Sequence, residues 1–234
     1  MLTLGIDLAA QPENTAGCVI QWQDGSAEVS KVACDLDDGA ILELIHGVDK
    51  AGIDVPLGWP VDFVHSISEH HGLKRWPTKD RLKLRYRETD LFVRDKTGLW
   101  PLSVSTDRIG VTAIRAAALP LSKAERKDRS GSGKIIEVYP AAALCQWGFD
   151  SKGYKNKKGR ETRLKLVESF VQQTKPWLQI SAAQRTACEE CDHVFDALVA
   201  SLVAKRAMKQ RHVLFQEEDQ DTYVREMLTV LTPA

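Results

Sequence analysis

Residues 2–9 read Leu2-Thr3-Leu4-Gly5-Ile6-Asp7-Leu8-Ala9, and this stretch decides how the chain is expected to fold. It has the pattern of an apolar strand that ends in an acid and continues into small residues, which often presents the acid to a metal ion. A carboxylate in such surroundings is costly to desolvate unless it is paired or bound to a cation. Asp7 is therefore the first candidate site residue.

Further acids stand in comparable surroundings. Asp54 and Glu137 each close an apolar stretch, and Asp196 lies in the largely apolar segment 193–198. A cation held between these carboxylates would offset their desolvation, and hard divalent cations prefer oxygen ligands. We therefore predict that Asp7, Asp54, Glu137 and Asp196 are catalytic acids and metal ligands, with Mg²⁺ or Mn²⁺ as the cofactor.

The order of the predicted elements indicates how these acids come together. The first elements are strands at 2–8, 17–23 and 27–34, a helix over 41–48 and a strand at 51–55. Short turns favour antiparallel pairing of the first three strands, whereas a helical crossover favours parallel pairing of the first and fourth. Asp7 and Asp54 would then lie at corresponding strand ends. Glu137, in a later strand at 135–139, would flank the same end.

The pattern changes after the fourth strand. Prolines, glycines and many charges over about 56–105 predict an insertion that is irregular apart from a short helix near 61–71. The remainder is mostly helical, with helices predicted near 106–119, 141–147, 159–173, 181–210 and 222–231 and a Ser/Gly-rich loop at 122–133. Residues 1–234 are expected to form a single α/β domain.

Additional site residues are predicted on the last long helix and in the insertion. Asp192 lies four residues before Asp196 on the same helix face and is predicted as a further metal ligand, with His193 as an auxiliary residue. In the insertion, Arg87 could contact a phosphate and Asp90 could approach the site. A salt-bridged loop is an equally good interpretation of Arg87 and Asp90.

Basic clusters predict contacts with a nucleic-acid backbone, because Lys and Arg supply affinity that does not depend on base sequence. The candidate substrate-binding residues are Lys83, Arg85, Lys134 and Lys155. Interleaved aromatic residues could stack on bases, and they are Trp76, Tyr86, Trp100 and Tyr154. Solvated loops are the alternative explanation of the same clusters.

The composition limits the partners and the compartment. Lys+Arg and Asp+Glu both number 32, so the zero net charge gives no general attraction to polyanions and a nucleic-acid surface must be local. Five dispersed cysteines suit a reducing compartment better than a disulfide framework. No apolar window approaches the roughly 18 residues of a membrane span. We expect a cytoplasmic protein without membrane association.

Several short motifs in combination resemble those of a known family. They are Gly5-Ile6-Asp7-Leu8-Ala9-Ala10, Gly52-Ile53-Asp54-Val55-Pro56-Leu57-Gly58, Arg87-Glu88-Thr89-Asp90, Glu137-Val138-Tyr139-Pro140-Ala141 and Phe195-Asp196-Ala197-Leu198. Together they resemble the predicted RNase H-like nucleases of "domain of unknown function" family 429. The resemblance implies an RNase H-like fold, with a mixed five-stranded sheet whose first three strands are antiparallel and with helices on both faces.

The resemblance also implies a function. Segment 193–198 is similar to the last active-site helix of RuvC-type junction resolvases, in which an acid or His precedes a metal-binding Asp by three residues. Asp7 and Asp196 become the strongest candidate ligands, and Asp54, Glu137 or both complete the site. The implied activity is hydrolysis of phosphodiester bonds in nucleic acid by a two-metal mechanism.

Two other functions remain as alternatives. One is an actin-like or RNase H-like nucleotide-binding phosphotransferase or ATPase, although the chain shows neither a repeat of the Asp7 strand nor a Gly-rich phosphate loop. The other is a noncatalytic binding module that keeps the fold. DNA versus RNA, substrate strandedness and oligomeric state, a dimer included, are left open at this level.

Overall fold

The structure is a computed structural model that describes residues 1–105, 107–119, 131 and 133–209. The predicted helix near 222–231 and most of the predicted loop at 122–133 lie outside the described residues. The described chain folds into a central sheet with helices packed on both faces, as the sequence predicts.

Six strands form the sheet in the described part of the chain: β1 (Leu2–Asp7), β2 (Ala16–Gln23), β3 (Ser26–Ala33), β4 (Lys50–Asp54), β5 (Ile135–Glu137) and β6 (Leu178–Gln179). Their spatial order is β5-β4-β1-β2-β3-β6. The first three strands are antiparallel neighbours, and β4 pairs in parallel with β1, as predicted. The predicted number of five strands is wrong, because β6 has only two residues and so shows no alternating pattern in the sequence.

The helices of the described residues are α1 (Asp38–His46), α2 (Val61–His71), α3 (Arg81–Arg85), α4 (Glu88–Thr97), α5 (Asp107–Ala118), α6 (Pro140–Gln146), α7 (Arg160–Thr174), α8 (Ala182–Glu190) and α9 (Asp192–Lys209). The core has two parts, one on each face of the sheet. Side chains of α1 and α5 cover one face, and side chains of α6, α7, α8 and α9 cover the other. None of these helices combines the length and apolar character that a membrane crossing requires.

Helix α9 approaches the sheet unusually closely. A Cβ atom on Gly5 would lie 1.8 Å from the backbone oxygen of Ala197, and one on Gly52 would lie 2.5 Å from that of Ala200. Only glycine leaves room for main-chain contact of this kind. The side chains of Thr3 and Ser201 add a 2.9 Å hydrogen bond between β1 and α9. The position of α9 is therefore fixed against the two central parallel strands.

The single helix predicted over 181–210 is in fact two helices, α8 and α9, separated at Cys191. Cys191 has extended dihedral angles, φ −129° and ψ 116°. The buried guanidinium of Arg163 donates hydrogen bonds to the backbone oxygens of Glu189 and Glu190, which the interrupted helix leaves available. A contact from a separate helix thus compensates the break, and local periodicity does not reveal it.

The insertion after β4 is more helical than predicted. The segment expected to be irregular contains α3 and α4 in addition to α2. Asp80 caps α3 by accepting hydrogen bonds from the backbone N–H groups of Leu82 and Lys83. Asp90 accepts from the backbone N–H of Arg87 and so closes the first turn of α4. Both helices are short, which explains why their apolar periodicity is weak.

Candidate metal centre

Strands β1 and β4 bring Asp7 and Asp54 side by side. The parallel register pairs Gly5 with Gly52 and Asp7 with Asp54, so the repeated tripeptide Gly-Ile-Asp aligns position by position. Alternate residues of a strand point to opposite faces. The intervening Ile6 and Ile53 belong to the core beneath α1, which directs both acids to the face that α9 covers.

Helix α9 supplies the third acid. One carboxylate oxygen from each of Asp7, Asp54 and Asp196 lies within 4.8 Å of the other two. Asp196 is 1% exposed and Asp7 is 7% exposed, whereas Asp54 is partly exposed. Among the described residues this is the group of His, Cys, Asp and Glu side chains that could hold a metal ion. We refer to Asp7, Asp54 and Asp196 as the acid triad.

Lys155 and Tyr154 contact the acid triad from the segment before α7. Lys155 Nζ lies 2.7 Å from Asp196 Oδ2 and 3.9 Å from Asp54 Oδ2. The hydroxyl of the buried Tyr154 donates a 2.5 Å hydrogen bond to Asp196 Oδ1. Tyr154 was predicted to stack on bases, but its ring is buried against Phe195. Its role here is to hold Asp196.

His193 contacts the triad from the first turn of α9. Its Nδ1 lies 2.5 Å from Asp7 Oδ2. This hydrogen bond is the main cause of a raised His193 pKa, which partial burial opposes and the charge of Asp7 reinforces. His193 is therefore positioned as a partner of Asp7, and its auxiliary role stays a prediction.

Two of the triad carboxylates, those of Asp54 and Asp196, have raised pKa values. Burial raises the pKa of Asp196 to about 6, with Lys155 opposing the shift and Asp7 adding to it. Burial likewise raises the pKa of Asp54, where Lys155 again opposes and the two neighbouring acids add. The pKa of Lys155 is raised because attraction to Asp196 and Asp54 outweighs the effect of burial. An additional cation would stabilise the ionised triad.

Glu137 flanks the same sheet edge but lies outside the triad. Its carboxylate accepts hydrogen bonds from Arg87 Nη1 at 2.8 Å and Nη2 at 2.6 Å, and a third from the backbone N–H of Leu57. Arg87 also makes a two-point ion pair with Asp90, whose oxygens accept from Nε and Nη2. Of the two interpretations of Arg87 and Asp90, the structure shows the salt-bridged one. The ion pairs of Arg87 with Asp90 and Glu137 connect the insertion to β5.

Asp192 lies beside the triad in sequence but has different partners. Its Oδ2 accepts a 3.0 Å hydrogen bond from the backbone N–H of Asn156, which adopts a left-handed conformation with φ 64°. Arg163 donates to the backbone oxygens of Tyr154 and Asn156. Arg163 and Asp192 therefore fix the loop that presents Tyr154 and Lys155. Sequence reasoning missed this role of Arg163, because an arginine on a helix with several charged residues gives no local signal for it.

The other predicted substrate-binding residues lie apart from the acids. Lys83 and Arg85 are exposed on α3, and Arg85 stacks over the Tyr86 ring at 5.0 Å. Lys134 is exposed and donates to the backbone oxygen of His46. Among the predicted substrate contacts, Lys155 is the one that the structure places at the acid triad.

The donor set of the triad fits Mg²⁺ or Mn²⁺. All its potential ligand atoms are carboxylate oxygens, which these cations prefer. Oxygens on opposite sides of Mg²⁺ lie about 4.2 Å apart, twice the metal–oxygen distance. The 4.8 Å limit between the triad oxygens therefore requires only small shifts. Movement of the Lys155 ammonium away from Asp196 would accompany binding.

Comparison with known proteins places the chain in a family. Neither the curated proteins nor the solved structures that were searched show a significant match. The sequence profile of a family described as "Protein of unknown function (DUF429)" matches residues 5–220, a range that contains all three triad acids and Glu137. The chain therefore belongs to the DUF429 family.

Proposed function

We propose that this protein is an RNase H-like, divalent-metal-dependent nuclease that hydrolyses phosphodiester bonds in nucleic acid. The convergence of three buried or partly buried carboxylates supports this proposal most directly. Two of them end adjacent parallel strands and the third comes from the helix packed across those strands. This arrangement agrees with the RNase H-like resemblance of the motifs that contain Asp7 and Asp196.

The proposed reaction is an in-line displacement at phosphorus by water. When bound, Mg²⁺ or Mn²⁺ would supply Lewis-acid activation of that water and neutralise charge on the leaving oxygen, in a two-metal arrangement completed by substrate oxygens. The triad carboxylates would hold the cation. Tyr154 would keep Asp196 in its rotamer through their 2.5 Å hydrogen bond.

Lys155 and His193 would act on the substrate side of the triad. The Lys155 side chain is 40% exposed, so its ammonium can leave Asp196 and bind a phosphate oxygen when the cation enters. His193 Nδ1 would keep its contact with Asp7. The imidazole Nε2 would then hold or accept a proton near the phosphate. Neither side chain needs to form a covalent bond to the substrate.

The Lys155 ammonium also favours one of the alternative functions. An internal cation already neutralises part of the triad charge, as expected of a noncatalytic binding module that uses these acids structurally. The two functions differ in their response to metal. If the acids are only a structural ion-paired cluster, millimolar Mn²⁺ should not stabilise the protein. If the protein is the proposed nuclease, Mn²⁺ should bind and stabilise it.

The test combines metal binding with cleavage. Labelled single-stranded, duplex, RNA–DNA hybrid and branched substrates are incubated with Mg²⁺ or Mn²⁺, and metal binding is measured by calorimetry. We expect cleavage with at least one substrate and a loss of about 100-fold or more in Asp7→Asn and Asp196→Asn, as when a single charge-stabilising group is removed from an active site. Asp95→Asn is the matched control, because its side chain is 73% exposed on α4. Activity that is unchanged in both triad variants would contradict the proposal.

A further inference from the structure

A cavity of about 490 Å³ adjoins the acid triad: it is lined by the triad residue Asp54 and by Lys155, which contacts the triad. It lies between the insertion and the sheet, with walls from α4, from the segment 99–102, from α6 and from the loop that carries Lys155. Its volume is within the range of about 300–1,000 Å³ typical of small-molecule sites. A ligand in this cavity would reach the triad directly.

The walls of the cavity are mainly apolar and include three aromatic residues, one of which is Tyr154. Val93, Leu99 and Leu102 line it together with Trp100 and Tyr139. Such a surface suits a flat ring system better than a sugar or a bare phosphate, because each face of a planar ring can be covered by apolar or aromatic groups.

Two neighbouring side chains hold Trp100 in place. Its ring centroid lies 4.8 Å from that of Tyr86, and the guanidinium carbon of Arg94 lies 4.2 Å from it. The side chain is nevertheless 45% exposed, which leaves surface available for a ligand. A stacking surface that is already held in position loses little side-chain entropy when a ring binds.

The charged groups of the cavity wall are paired with each other. Arg87 donates hydrogen bonds to Asp90 and to Glu137, so these charges are already paired and do not need a charged ligand to neutralise them. Positive charge at the cavity wall comes from the exposed Lys152 and, once a cation enters the triad and displaces its ammonium from Asp196, from Lys155. The cavity thus offers a site for a ring next to a site for an anion.

We propose that this cavity receives the base of an unpaired nucleotide in a nucleic-acid strand, with the adjoining phosphate at the acid triad. The inference rests on the proposed nuclease function and specifies its substrate as single-stranded. A base within a duplex is stacked and paired, so it must be extruded before it can enter such a cavity. Single strands meet that requirement without the unpairing cost.

The experiment measures binding separately from cleavage. A fluorescent ten-nucleotide strand, its blunt duplex and deoxyadenosine monophosphate are titrated with the full chain in buffer containing Ca²⁺, a cation that also prefers oxygen ligands and replaces the Mn²⁺ used for cleavage. The variants are Trp100→Ala and Trp100→Phe. Trp177→Ala is the matched control, because Trp177 is partly exposed, stacks on Trp22 and does not line the cavity.

We expect the single strand to bind at least about tenfold more tightly than the duplex. Trp100→Ala should weaken strand binding about 10- to 100-fold, the range for loss of one base–aromatic stack, whereas Trp100→Phe should retain most of the affinity. Trp177→Ala should bind as the wild type does. Equal binding of strand and duplex, or no effect of Trp100→Ala, overturns the inference. A mononucleotide that binds as tightly as the strand overturns the assignment to a strand.

Cleavage assays with Mn²⁺ then separate this inference from the proposed function. Strand binding that depends on Trp100 without any cleavage supports the base site and contradicts the nuclease. Cleavage that is equal on strand and duplex and indifferent to Trp100→Ala supports the nuclease and contradicts the base site.

Discussion

Lys155 has the most consequential position of any single residue in the site. Its ammonium lies between Asp196 and Asp54, on the side of the triad that adjoins the cavity. One unit of positive charge cannot balance three carboxylates, so the triad retains an attraction for a further cation. Lys155 therefore both lowers the cost of the metal-free state and competes with the metal that we propose.

Replacing Lys155 should affect stability and metal binding in opposite directions. Lys155→Met removes the internal cation, so we expect the metal-free protein to lose roughly 1–2 kcal/mol of unfolding free energy. This is below the value for a fully buried pair, because the Lys155 side chain is 40% exposed. Mn²⁺ should bind several-fold more tightly, since no ammonium has to be displaced. Denaturation in chelator and calorimetry with Mn²⁺ measure the two effects.

A matched surface variant controls for the loss of a lysine. Lys96 pairs with Asp95 at 3.1 Å on the exposed side of α4, away from the triad. Lys96→Met should leave both the stability and the Mn²⁺ affinity within error of the wild type. An unchanged Mn²⁺ affinity in Lys155→Met would show that the ammonium does not compete with the metal.

Helix α9 and strands β1 and β4 form the structural unit that positions the acids. The contact depends on Gly5 and Gly52, each of which lies two residues before a triad acid and on the same face of the sheet. Because α9 meets the sheet through backbone atoms, a displacement of the helix would move Asp196 away from Asp7 and Asp54.

A methyl group on Gly5 should disrupt this unit. In Gly5→Ala the new Cβ would lie 1.8 Å from Ala197 O and 2.3 Å from Ser201 N, which are backbone atoms that cannot move aside as a side chain can. We expect a destabilisation of more than about 3 kcal/mol, above the usual range for overpacking, and loss of Mn²⁺ binding in any folded fraction. Thermal and chemical denaturation measure the loss of stability, and calorimetry measures the loss of Mn²⁺ binding.

Gly39 provides the corresponding control. Gly39 lies in α1, and a Cβ there would approach no closer than 3.4 Å to Asp37 Oδ1. Gly39→Ala should be neutral or should stabilise the protein by up to about 1 kcal/mol, because alanine is the better helix former. Similar stability losses in Gly5→Ala and Gly39→Ala would refute the close-packing explanation.

The sequence predicts well those elements that have a local periodic pattern of apolar and polar residues. Alternation and the crossover rule predict strands β1 to β4, their pairing and the alignment of Asp7 with Asp54, and the structure confirms them. The break at Cys191 and the two-residue β6 are missed, because each is stabilised by contacts from distant segments.

In the candidate site, too, the features set by local patterns are predicted and those set by distant contacts are missed. Asp7 and Asp54 come together through strand order, which the sequence reveals, and Asp196 through a helix whose apolar surroundings indicate burial. Tyr154 and Lys155 approach Asp196 across more than 40 residues of chain, and Arg87 approaches Glu137 across 50. Contacts between side chains so far apart in the sequence leave no periodic pattern. The ion pairs of Arg87 and the shape of the cavity therefore cannot be predicted from the sequence.

At the scale of the whole molecule, the buried acids make stability depend on pH. The pKa of Asp196 is about 6 in the folded protein against 3.8 as the ordinary value. A raised carboxyl pKa means that the folded state binds the proton more tightly than the unfolded state does. The resulting stability is fully present below about pH 4 and is lost as the pH rises through about 6.

Metal-free protein should accordingly become less stable from pH 4 to pH 7. The contribution of Asp196 should be up to roughly 3 kcal/mol, which is the difference between the wild type and Asp196→Asn across that range. Saturating Mn²⁺ should reverse the trend for the wild type, because metal binding requires ionised carboxylates. Denaturant unfolding in chelator and in Mn²⁺ at each pH provides the measurement. Parallel pH curves for the two proteins would exclude a special role for the Asp196 proton.

The residues of the acid triad come from opposite ends of the described chain. Asp7 ends the first strand, and Asp196 lies on the last described helix. During synthesis on the ribosome, the strands that carry Asp7 and Asp54 emerge long before α9 can dock on them. A chain released after residue 54 but before residue 196 would keep two of the acids but would lack a closed site. Incomplete copies of the proposed nuclease would thus be unable to cut the nucleic acids of the cell that makes them.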